Sequence, residues 1–172
     1  RCQRLVLCSL SADVLREHLA PMNLAVERLT LAVRLGQGSL QRAKQVANGE
    51  WDELREQAEA FLRAGARRED EVYWNTVEEL GGDRAQQEAF LQMCAFYLRD
   101  LFLLQCGMGD DVTMVDRGAF LDELYPYLKT ELIERAMLEI DQAAAALARN
   151  AHIQLVLTDF WRCLRRARQV AA

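Results

Sequence analysis

The sequence predicts an all-α fold, and three features carry that reading. Apolar residues recur at spacings of three and four along most of the chain. Glycines fall where those stretches end. Only one run, "RLVLCSL" over residues 4–10, has the apolar, partly β-branched and short character of a strand, and Ser9 and Ser11 close it. With 172 residues, 51% hydrophobic and 27% charged, the chain has the composition of a folded globular protein with a core of its own. No apolar run approaches the ~18 residues that a membrane-spanning helix needs.

The elements follow in order. Ser11 caps a first helix, "SADVLREHLA", with Asp13 in the first turn where the helix dipole favours an anion, and Pro21 stops or redirects it. "NLAVERLTLAVRLG" is the second, with Leu24, Leu31 and Leu35 on one side and Gly36 past its end. "GSLQRAKQVA", capped by Ser39, is a short third. "EWDELREQAEAFLRAG" is expected to end at Gly65, and "RREDEVYWNTVEEL" at the Gly81-Gly82 pair. Asp83 and Gln86 form a capping-box pattern for a long helix from Arg84 to Cys106, whose Phe90, Leu91, Cys94, Leu98, Leu101 and Phe102 make one buried face. "GMGDDVTMVD" is a loop, and Asp116 is expected to cap a short helix ending at Pro126. Thr130 starts another long helix with Leu132, Ala136, Ile140, Ala143 and Leu147 as its seam. The last, "NAHIQLVLTDFWRCLRR", buries Ile153, Leu157, Phe160 and Leu164.

The net charge of −5 hides an asymmetry, since residues 1–48 carry +4 and residues 49–172 carry −9. The change falls at Gly49, a helix-stop glycine, so the sequence predicts two domains, 1–48 and 49–172. Three helices of such length bury little, and the first unit is expected to lean on a neighbour. Five cysteines (Cys2, Cys8, Cys94, Cys106 and Cys163) are an odd number without a Cys-x-x-Cys pair, which predicts a reducing, cytoplasmic setting. Cys94 and Cys106 sit in apolar helical pattern and read as small hydrophobes.

Catalytic signatures are missing. There is no phosphate loop, no His-Glu-x-x-His and no Gly-x-Ser-x-Gly. His18 and His152 have no second ligand at metal spacing, and His152 reads as a neighbour of a helix cap. The carboxylates of the Gly109-Asp110-Asp111 loop lack the alternating spacing of a cation site, so no metal and no cofactor are expected. Glu53, Glu56 and Glu59 read as a wet helix face rather than an acid/base pair. Trp51, Trp74 and Trp161 are too scattered for a base-stacking platform and read as packing residues. Arg162, Arg165, Arg166 and Arg168 read as a solvated helix end that complements the C-terminal dipole, with nucleic-acid contact the competing reading.

"RCQRLVLCSLSADVLREHL" followed by "LAVRLGQGSLQRA" resembles the end of the AAA+ module in the clamp loaders of bacterial DNA polymerase III. In that family a Ser-Arg-Cys motif closes the ATPase core, a strand follows, and a three-helix lid ends near a Gly-Ser-x-x-x-Ala stretch. Arg1 and Cys2 match the first motif in part, and Gly38, Ser39 and Ala43 match the second. Further on, "FLQMCAFYLRDLFLLQCG", "VTMVDRGAFLDELYPYL" and "ARNAHIQLVLTDFWRCL" are similar to the collar domain of the delta-prime type of subunit. The resemblance spans nearly the whole chain.

It implies a lid over residues 1–48, a collar over 49–172, and a fragment of a larger subunit whose ATPase core is missing. Arg1 then stands at the arginine-finger position, where the family's arginine neutralises charge on the transferred phosphoryl group of a neighbour, and as a stump it is expected to be inactive. Hydrolysing relatives carry a sensor arginine in the lid. Here that position is Gln41, and Arg42 lies about 100° further around the helix. A neutral amide supplies no charge to a γ-phosphate, which favours the delta-prime type over gamma/tau. The chain is therefore expected neither to bind nor to hydrolyse ATP, and to act in replication by protein–protein contact. Its implied partners are gamma/tau-type and delta-type subunits, with DNA met only through the assembled complex. An unrelated all-helical adaptor is the alternative class.

Overall fold

A computed structural model describes residues 8–166. Those residues hold nine α-helices and no strand. Arg1, Cys2, Arg168 and most of the strand expected over 4–10 lie outside them; Cys8, Ser9 and Leu10 are in irregular structure.

The chain divides into two compact units between Asp52 and Glu53. The division falls after Asp52 rather than at Gly49, because Trp51 and Asp52 are held by the first unit. Both carboxylate oxygens of Asp52 accept from the Arg28 guanidinium, at 2.8 and 2.9 Å, and the Arg42 guanidinium lies over the Trp51 ring.

The first unit packs α1 (Ala12–Leu19), α2 (Val26–Gly36) and α3 (Leu40–Ala47) around Leu15, Leu19, Leu31, Leu35 and Val46, all buried. Ser11 caps α1 and Ser39 caps α3, each hydroxyl accepting from an amide three residues on. The second helix starts three residues later than the sequence pattern suggests. Pro21 lies in a 3-10 turn, Ala20–Met22, and Asn23 behind it is left-handed at φ 48°, so Leu24 precedes the helix and is only half-buried.

The second unit holds α4 (Asp52–Arg67, entering from Glu53), α5 (Asp70–Leu80), α6 (Arg84–Gln105), α7 (Gly118–Leu124), α8 (Thr130–Ala148) and α9 (Ile153–Leu164). Its core centres on Phe61 of α4, whose ring meets Phe90 of α6 edge-on at 5.3 Å and lies 4.9 Å from Trp161 and 5.7 Å from Phe160, both of α9. The expected seam of α6 is buried except for half-buried Phe102, and Met93, Phe96 and Tyr97 are buried besides. Helix α6 is therefore covered on more than one side, which a single-face reading misses. On α8 the buried residue of the first turn is Ile133 and not Leu132.

Helix α4 does not end at Gly65 but runs through it to Arg67. A Cβ at position 65 would stand 2.9 Å from both Cβ and Cδ1 of Leu164, so the glycine marks where α9 comes closest to α4. The chain leaves α4 through Arg68, left-handed at φ 65°, with the Glu69 amide donating to the Ala64 carbonyl.

Glu123 of α7 joins the outer turns of α4, accepting from Arg63 at 3.0 Å and from Arg67 at 2.5 Å. The Arg63 hydrogen bond, chiefly, holds its carboxyl below the usual value of 4.5. A depressed acid pKa gives stabilisation that is full above the unfolded value and is lost as pH falls through the folded one. A carboxyl NMR titration is expected to place Glu123 below 4.5, and Arg63→Gln to return it toward that value. A Glu123 midpoint unmoved by the substitution would contradict the pairing.

Candidate functional site

At the start of α3 the three residues of the Gly-Ser-x-x-x-Ala stretch each have a local task. Gly38 is left-handed at φ 80°, and a Cβ there would stand 2.5 Å from the Ser9 Cβ; its carbonyl accepts from the Leu10 amide. Ser39 caps the helix, and buried Ala43 packs against Gly36 so closely that a Cβ on Gly36 would lie 2.8 Å from that of Ala43. Gln41 points to solvent. Arg42 is half-buried, held by the Trp51 ring at 5.7 Å and by the Gln37 side chain at 3.3 Å. The arginine beside the sensor position is thus engaged within its own unit. Arg1 lies outside the described residues.

In the second unit the structure gathers a polar cluster that sequence reading missed. Glu59, expected on a wet face with Glu53 and Glu56, is buried; it accepts from the Tyr97 hydroxyl at 2.5 Å and pairs with Arg117 at 3.1 Å. Glu53 and Glu56 are exposed. Asp116 does not cap α7, whose N-cap is Arg117 with no side-chain bond; its carboxylate takes the buried Arg55 guanidinium at 2.6 Å. Burial opposes the charge on Arg55, but Asp116 and Tyr97 more than offset it, and its pKa lies above the usual arginine value. Next to this cluster, fully buried Asp100 accepts from the amides of Thr113 and Met114 and fixes the loop before α7 to α6. These groups pair with one another within the fold, the buried Arg117 Nε by charge alone and without an aligned hydrogen-bond acceptor, and the arrangement clamps the 112–117 segment without presenting a reactive atom to an open cleft.

The remaining candidates separate. His152 caps α9, its Nδ1 accepting from the Gln154 amide, and His18 bonds the Val14 carbonyl at 2.8 Å. Trp161 is buried with its Nε1 donating to Asp70, while Trp74 is exposed. Cys94 is buried, and burial pushes its thiol far above the ordinary range; Cys106, expected in the apolar pattern, is exposed past the end of α6. Asp110 and Asp111 are exposed in a 3-10 turn. Among the described residues no three His, Cys, Asp or Glu side chains gather as a metal site, and no helix is long and apolar enough to cross a membrane.

Two surface features stand out on the α8–α9 hairpin. Leu138 and Leu155 are 60% and 70% exposed, and Leu155 edges a groove of about 410 Å³ floored by Ala143, Ala146 and Val156. Beyond it, sharing Glu139 and Asp159, lies a larger groove of about 790 Å³ where Arg162, Arg165 and Arg166 meet Arg68 from the end of α4 and Arg135 from α8. Sequence reading found the terminal run but not its two distant partners. Comparison with protein-family models, with curated proteins and with solved structures finds no match to this chain.

Proposed function

We propose that this chain is the lid-and-collar part of a bacterial DNA polymerase III clamp-loader subunit of delta-prime type, a non-catalytic module that holds its partners in the complex that loads the sliding clamp. The observation that carries the reading is an order of parts. A three-helix unit, with Gly38, Ser39 and Ala43 building the start of its third helix, precedes a larger helical unit bearing the collar-like stretches. Exposed Gln41 at the sensor position supports the delta-prime type over gamma/tau. The α8–α9 hairpin, with Leu155 bare at the edge of a small-residue groove and Leu138 exposed on α8, supplies a face on which the helices of a partner collar pack.

Co-purification of the full chain with intact gamma/tau-type and delta-type subunits tests the proposal. The chain is expected to be retained with them, and Leu138→Glu with Leu155→Glu to abolish retention while circular dichroism stays helical. Retention by neither partner would leave the unrelated helical adaptor as the better reading.

A further inference from the structure

We propose that the arginine groove at the end of the α8–α9 hairpin is a binding site for a chain of condensed phosphates. Five guanidinium groups from three separate stretches of sequence line it, against the carboxylates of Glu139 and Asp159, leaving an excess of three positive charges inside a unit that is strongly acidic as a whole. Arg165 is paired with Asp70 at 3.0 Å, and Arg162 lies 3.9 Å from Asp159. Arg68, Arg135 and Arg166 form no ion pair among the described residues, so three forks remain open to a ligand. Like charges brought together in this way repel unless an anion joins them.

The backbone supplies a second observation. Arg68 stands at the left-handed position after α4, where glycine is the favoured residue, and its side chain lines the groove. An arginine there sacrifices local stability and gains a charge at this wall. The volume of about 790 Å³ lies within the range of small-molecule sites, roughly 300–1,000 Å³. Planar guanidinium forks match phosphate oxygens two at a time, and a condensed phosphate places several negative charges within the reach of one groove. Among the described residues no aromatic side chain lines it, so a base finds nothing there to stack on and the phosphates are the recognised part.

Isothermal titration of the full chain with inorganic tripolyphosphate at low ionic strength tests this. One site is expected, weakening as salt is added. Arg135→Gln is expected to lower the affinity about tenfold, the loss of one charge-assisted contact. Arg68→Gly is expected to lower it similarly while raising the thermal midpoint, a combination that a structural arginine would not give. ATP binding at the same groove would support recognition of the phosphate chain whatever its source, and would correct the expectation, drawn from the lid, that the chain does not bind ATP. Absence of binding, or binding indifferent to both substitutions, would overturn the proposal. Equal affinity for citrate would assign the groove to carboxylates, and much tighter binding of a thymidine oligonucleotide would assign it to nucleic acid; either also overturns it.

Discussion

Asp100→Ala is expected to destabilise the second unit by about 3–5 kcal/mol, because it strands the buried amides of Thr113 and Met114 at about 1–3 kcal/mol each and removes charge-assisted bonds. The carboxylate is fully buried, and its oxygens lie 2.9 and 3.0 Å from the Thr113 nitrogen and 2.7 Å from that of Met114. Burial holds its pKa above the usual aspartate value against the pull of those amides and of Arg99, so the geometry has been kept at a desolvation cost. Asp100→Asn retains one acceptor oxygen but turns an amino group toward the amides, and a smaller loss is expected. Urea denaturation measures both, and hydrogen exchange at Thr113 and Met114 should rise in each variant before that of α6. A loss below 1 kcal/mol for the alanine variant, with those amides still protected, would mean that the loop is fixed by something else.

Gly65→Ala is expected to destabilise by about 1–3 kcal/mol although alanine is the better helix former. Propensity alone favours the substitution by about 1 kcal/mol in a helix interior. The new methyl would stand 2.9 Å from the Cβ and Cδ1 of Leu164; the Cδ1 can turn aside, but the Cβ is fixed to the α9 backbone and cannot. The helices must therefore part, loosening the contacts of Phe61 with Phe160 and Trp161. The pair Gly65→Ala with Leu164→Ala should recover part of the first loss, measured as a coupling in a double-mutant cycle. A stabilised Gly65→Ala variant would contradict the close approach.

Gly65 also shows where a sequence stops being informative. A glycine after an apolar stretch reads as a stop, and only the arrival of α9 from a hundred residues away explains why it lies within a helix. The same holds for Glu59, whose i, i+3 spacing with Glu53 and Glu56 suggests a wet face; its burial follows from the Tyr97 and Arg117 groups that come to it from elsewhere. Local chemistry was legible: Ser11, Ser39 and Asp83 cap their helices through amides two or three residues away. The apolar seam of α9 was legible for the same reason, since Ile153, Leu157, Phe160 and Leu164 follow the helical period. The arginine groove was half legible, because three of its arginines are neighbours in sequence and two are not.

The central claim is that this chain assembles with clamp-loader partners through its helical units. Light scattering on a size-exclusion column, run on the full chain mixed with gamma/tau-type and delta-type subunits, tests it most directly. The account predicts a single species whose mass is the sum of the three kinds of subunit, broken up by Leu155→Glu. Elution of the chain at its own mass, with the partners assembling without it, would contradict the account.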